Sequence, residues 1–186
     1  MTGTKGRRKV NKSLPSETDG MRMSENITVL GVGNILYSDD GVGIEVVRKL
    51  SAEYVFSDNV TVVDGGVLGI NLLGVISNAG RLIVVDTVLN HGRPGDLHRL
   101  EHWEIPDRIL AKNSLHQVDL IEALTLCKAL DHVPKTTIIG VEPADLETLS
   151  DRLTERIASK LEGLTRKVLQ EIETLGGTWK TTEVPE

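Results

Sequence analysis

The chain has 186 residues, enough for one well-buried domain, and a hydrophobic share of 39% that is ordinary for a globular protein. Only 3% of the residues are aromatic, so the core must be built from Val, Ile and Leu, and the composition argues against aromatic stacking platforms for nucleic acid. The net charge of −6 hides an asymmetry: residues 1 to 26 carry six Lys or Arg against three acids, which leaves residues 27 to 186 at −9 and repelled by nucleic acid and anionic lipid.

Residues 1 to 26 read as a disordered basic leader, rich in Ser, Thr and Gly and without the apolar run of a signal peptide. No stretch reaches the roughly 18 apolar residues of a membrane span, so no membrane partner is expected. Cys127 is the sole cysteine, which rules out an intrachain disulfide and a cysteine-based zinc cluster and fits a reducing cytoplasm. One α/β domain is expected over residues 27 to 177, with a flexible tail over 178 to 186.

The first apolar β-branched run, Ile27 to Leu30, enters a glycine turn at Gly31 and Gly33 and meets the paired acids Asp39 and Asp40. Val46, Val47, Leu50 and Tyr54 then recur at helical spacing, so the unit reads as strand, loop, helix. Val60 to Val63 is a second strand ending at Asp64-Gly65-Gly66, and Leu68 to Ser77 a second helix with Leu72, Leu73 and Ile76 on its apolar face. Leu82 to Val85 is a continuous apolar strand ending in Asp86, and Leu97 to Leu100 a further strand after the Gly92-Arg93-Pro94-Gly95 loop. Pro106 falls in a connection. Ser114-Leu115-His116-Gln117 forms a capping box that opens a helix through Leu130.

Thr136 to Val141 is a fifth strand. Leu153, Ile157, Leu161, Leu164, Val168, Ile172 and Leu175 mark one long amphipathic helix stopped by Gly176-Gly177. Alternating strands and helices of this kind give a three-layer αβα sandwich with a mainly parallel, roughly five-stranded sheet.

In such a sheet the loops after the strands gather at one edge, where ligands bind. Asp40 and Asp86 are therefore expected at the same edge, and His116 adds an imidazole from the first turn of a helix. Two carboxylate oxygens and one nitrogen make an open, incomplete shell for a borderline divalent ion. Taken singly, each residue has a structural explanation as a helix cap or first-turn side chain. Together they form an O, O, N set.

Other patterns carry less. Gly31-Val32-Gly33 begins like a dinucleotide fingerprint, but Leu36 stands where the third glycine belongs, and acids beside the helix start repel a pyrophosphate. His98 and His102 lack the H-E-x-x-H frame of a zinc protease and read as surface histidines. Cys127 lies 11 residues after His116, about 16 Å along a helix, too far for a thiol–imidazole pair. No G-x-S-x-G elbow occurs.

Gly31-Val32-Gly33-Asn34-Ile35-Leu36 with Asp39-Asp40-Gly41-Val42-Gly43 closely resembles the opening motif of the nickel-iron hydrogenase maturation endopeptidases. The likeness continues through Asp64-Gly65-Gly66, the strand ending at Asp86 and Ser114-Leu115-His116-Gln117, and it spans roughly Ile27 to Leu175. It implies an endopeptidase that removes the C-terminal extension of a hydrogenase large-subunit precursor after nickel insertion. The family's metal-binding acid, second aspartate and histidine fall on Asp40, Asp86 and His116, with nickel carried by the substrate rather than permanently bound. The first of these is Glu in some members. A protein that docks the nickel-loaded precursor without cutting it is the rival reading.

The protein is expected to act as a monomer, with Asp39 flanking the ligand set and its replacement by Ala doing less harm than that of Asp40. Removal of residues 1 to 22 is expected to leave folding and precursor cleavage intact, because the leader lacks the apolar content to join a core. A truncated protein that processes nickel-loaded precursor much more slowly than the full chain would instead make the leader part of docking.

Overall fold

The structure is a computed structural model that describes residues 25–66, 73–101 and 133–182. Strand β1 (Ile27–Gly31) runs into a 3-10 turn (Ser38–Gly41) and helix α1 (Val42–Glu53). Strands β2 (Tyr54–Phe56) and β3 (Val60–Asp64), helix α2 (Leu73–Ser77), and strands β4 (Arg81–Thr87) and β5 (Leu97–Glu101) follow. The chain closes with β6 (Lys135–Val141), α3 (Glu155–Ala158), α4 (Leu161–Thr174) and β7 (Trp179–Thr181).

Five strands form one sheet in the order β3-β1-β4-β6-β5, all parallel except β5, which runs antiparallel to β6. Alternate residues of the central strands feed two separate cores, as the period of a strand requires. Val29, Ile83, Val85, Ile139 and Val141 pack with Val42, Val46, Val47 and Leu50 of α1 and Leu164, Val168 and Ile172 of α4. Leu30, Leu82, Val84 and Ile138 pack on the opposite face with Ile76 of α2, Ala79 and Leu100. Helices on both faces of a mainly parallel sheet make the expected αβα sandwich, and the aliphatic composition follows from strands buried on two sides.

Several boundaries differ from the sequence-based expectation. Asn26, expected in the leader, bonds to the domain: its carbonyl accepts from Gly80 N at 3.1 Å and Arg81 N at 2.9 Å. The expected flexible tail is partly structured: Trp179–Thr181 forms β7, antiparallel to β2. Its anchor is Trp179, whose ring meets Tyr54 edge-on at 5.2 Å.

The predicted long helix from Leu153 divides into α3 and α4, with Thr154 capping the first by accepting from Ile157 N. It does stop where expected. Gly177 N bonds to Ile172 O and Gly176 N to Glu173 O, with Gly176 at φ 90°, the double bond of a Schellman turn. The first part of the predicted Leu68 to Ser77 helix, Pro106 and the Ser114 to Leu130 helix lie outside the described residues.

The start of α1 is pressed onto the sheet. A Cβ on Gly43 would collide with the carbonyl oxygens of Val32, which follows β1, and Val85, near the end of β4. Gly43→Ala is therefore expected to lower stability by about 1–3 kcal/mol or more, the cost of overpacking against backbone that does not yield. Urea unfolding measures it, and an unchanged midpoint would mean that α1 lifts off the strand ends freely.

Candidate functional site

From β1 the chain turns through α1 to β3 on one side, and later returns to β4 on the other side of β1. This reversal opens a crevice beyond the carboxyl ends of β1 and β4, the place where open α/β sheets bind ligands. Val32 N donates to Val85 O at 3.0 Å, so the strands stay paired up to the residue before Asp86. Asp40 belongs to the turn that follows β1, and Asp86 is the penultimate residue of β4. Two of the three residues expected from sequence thus stand at this one edge, Asp40 in the turn after β1 and Asp86 on the neighbouring parallel strand β4.

Each carboxylate is oriented by the backbone around it. Asp40 is 5% exposed, and its Oδ2 accepts from Asn34 N at 3.0 Å across the glycine turn. Gly33, at φ 136°, makes that turn, and a side chain there would run into the Asp40 carbonyl. The Asp40 turn leads directly into α1, whose N-terminal dipole favours a negative charge. Asp86 is 6% exposed, and its Oδ1 accepts from Thr87 N at 2.7 Å.

The same bonds argue against the dinucleotide reading. Asn34 N serves Asp40, and Gly33 N donates to Gly66 O at 3.1 Å, so these glycine-loop amides are committed within the protein. A phosphate needs such amides free.

His116 lies outside the described residues, as do His102 and Cys127. Among the described residues no three His, Cys, Asp or Glu side chains group closely enough to hold a metal ion. The described part of the expected O, O, N set is therefore its two carboxylates. Asp64 closes β3 at the same edge, but it is exposed, accepts from Gly66 N at 3.1 Å and faces Arg48 Nε at 3.5 Å.

Asp39 has a larger part than expected. It is fully buried, and its Oδ2 accepts from Ala144 N and Asp145 N, both at 2.9 Å, and from Thr154 Oγ1 at 3.1 Å. Its Oδ1 accepts from Thr154 N at 2.8 Å. Asp39 is thus a clamp between the β1–α1 turn and the loop leading to α3. Replacing it is not the milder change that its sequence position suggests, because four donors depend on it.

A second correction concerns His98, expected on the surface. Its Nε2 lies 3.0 Å from Glu142 Oε2, and the side chains are only 14% and 6% exposed. Glu142 also accepts from Asn90 N at 2.9 Å, which ties down the loop after β4. Sequence reasoning passed over Glu142, although its position just after the β6 apolar run gave the same signal as Asp86 after the β4 run.

The profile of the HycI family, hydrogenase maturation protease, matches residues 44–171. The HupD hydrogenase expression/formation protein of Thiocapsa roseopersicina is 38% identical over 148 residues, 76% of this chain and 67% of that protein. The chain thus spans about two thirds of that relative's length. The hydrogenase 2 maturation protease of Escherichia coli K12 is 34% identical over 152 residues, covering 81% of this chain and 92% of that one. Among solved structures, the hydrogenase maturating endopeptidase HybD from E. coli superposes with a TM-score of 0.79 at 33% identity, over 84% of this chain and 97% of that chain.

Asp39→Ala removes the acceptor of three backbone N–H groups and one hydroxyl in a buried place. Unsatisfied buried donors cost about 1–3 kcal/mol each before relaxation, so a loss of about 3 kcal/mol or more is expected. Asp40→Ala, which removes the acceptor of Asn34 N, is expected to cost about 1–2 kcal/mol for that bond. Parallel urea titrations compare them, and equal losses would contradict the clamp.

Proposed function

The chain belongs to the hydrogenase maturation protease family and is a peptidase, and on that premise we propose that it removes the C-terminal extension of a nickel-iron hydrogenase large-subunit precursor after nickel insertion. The observation that carries this reading is the pair of buried carboxylates at the carboxyl edge of the sheet, Asp40 in the turn that follows β1 and Asp86 near the end of the adjoining parallel strand β4. An edge carrying two acids and short of free loop amides suits a cation and disfavours a phosphate.

Nickel enters as part of the substrate. Asp40 and Asp86 supply anionic oxygen donors and His116 a nitrogen donor, while the remaining positions belong to the precursor's own ligands. Recognition of the ion brings the adjoining peptide to the edge, which makes cleavage conditional on insertion. Water polarised by that ion adds through its oxygen to the scissile carbonyl carbon, the C–N bond breaks, and the released amine takes up the proton. A chain whose only cysteine is Cys127 leaves thiolate capture of nickel to the precursor and works in the reducing cytoplasm.

Purified precursor, with and without inserted nickel, tests the reading. The protein alone is expected to cut the nickel-loaded form and leave the nickel-free form intact, and as isolated to hold far less than one metal ion per chain. Asp40→Ala, Asp86→Ala and His116→Ala are each expected to slow processing by at least roughly 10–100-fold while circular dichroism reports a folded chain. Efficient cutting of metal-free precursor by chelator-treated protein would overturn the mechanism. Near-normal processing by all three folded variants would overturn the residue assignment.

A further inference from the structure

Four of the seven large hydrophobic side chains exposed among the described residues lie on two loops beside Asp40: Ile35, Leu36, Tyr37 and Leu149. Leu149 is 73% exposed and Leu36 55%, values that chance scatter of single apolar residues does not concentrate in one place. The loops are joined by backbone bonds. Ser150 N donates to Leu36 O and Ser38 N to Ser150 O, both at 2.9 Å, and Tyr37 pairs with Ser150 as an isolated bridge. Leu36 N donates to Asn34 Oδ1 at 3.0 Å, while Asn34 N holds Asp40. The Asp39 clamp fixes both loops from beneath.

The patch is thus built, apolar and continuous with the backbone that orients Asp40. Its border is acidic, since Asp145, Glu147 and Asp151 outnumber Arg152 on the second loop. A second copy of this chain would bring the same acidic border against its own, which repels. A partner with apolar side chains flanked by Lys or Arg fits both features.

We propose that Ile35, Leu36, Tyr37 and Leu149 form the docking platform for the precursor, taking an apolar segment of the substrate protein flanked by basic residues. This rests on the functional reading above and adds where the substrate is gripped. Binding on this platform sets the substrate's approach to Asp40, so the platform acts on affinity and not on the bond-breaking step.

The test uses the full chain and nickel-loaded precursor with two variants, Leu149→Ser and the pair Leu36→Ser with Leu149→Ser. Both positions are exposed, so thermal unfolding is expected to stay near that of the parent. Under single-turnover conditions the paired variant is expected to raise the concentration for half-maximal rate by about tenfold, with the saturated rate within about twofold, and Leu149→Ser to give a smaller rise. Raising salt is expected to weaken the parent's binding further, and Glu147→Lys with Asp151→Lys to remove much of that dependence.

Unchanged half-saturation in both variants, while the parent cuts normally, overturns the docking inference alone. Loss of saturated rate at unchanged half-saturation overturns it too. A parent that dimerises through the patch, shown by sedimentation and lost in the paired variant, replaces the precursor with a second copy. A parent that does not cut nickel-loaded precursor overturns the functional reading and this inference together.

Discussion

The buried carboxylate of Asp39 is the constraint on which the candidate site depends. A charge removed from water must be met by donors, or the cost runs to several kcal/mol. Here the donors are three backbone N–H groups and one hydroxyl, all from residues 144 to 154, more than a hundred positions along the chain. The turn after β1 and the loop after β6 therefore order together. Asp40, next in sequence, inherits its place from that arrangement, as do Tyr37 and Ser38, which pair with Ser150.

The close approach at Gly43 acts in the same direction. With Val32 O and Val85 O against the first turn of α1, the helix start and the two strand ends form one rigid corner. Asp40 sits on that corner and Asp86 on the strand beside it. Rigidity matters because recognition of an ion needs donors held within fractions of an ångström. The chemistry also follows from which groups define the edge: the glycine-loop amides bond inward, and the carboxylates of Asp40 and Asp86 give the edge its anionic character.

Much of this was legible in the residues. β-branched apolar runs marked β1, β3, β4 and β6, those of β3 and β4 ending in aspartate, and the double glycine marked the end of α4, because strand burial and helix termination are local in their causes. The placing of Asp40 and Asp86 at one edge followed from parallel strands alone. Strand order did not follow, since nothing in Ile27 to Leu30 says that β3 lies on one side and β4 on the other. Asp39 was undervalued for the same reason: its four partners are distant, and side by side the two acids of the loop look interchangeable. His98 and Glu142 meet only after β5 folds back antiparallel on β6, and Trp179 finds Tyr54 only once β7 pairs with β2.

In the proposed function, Asp40, Asp86 and His116 reach the substrate's nickel itself. Nickel-edge X-ray absorption on precursor alone, and on its complex with the protein frozen before turnover, measures this directly. Complex formation is expected to add oxygen and nitrogen scatterers to the nickel shell, and Asp40→Ala to remove part of the added oxygen signal. An identical nickel shell in free and bound precursor would contradict it.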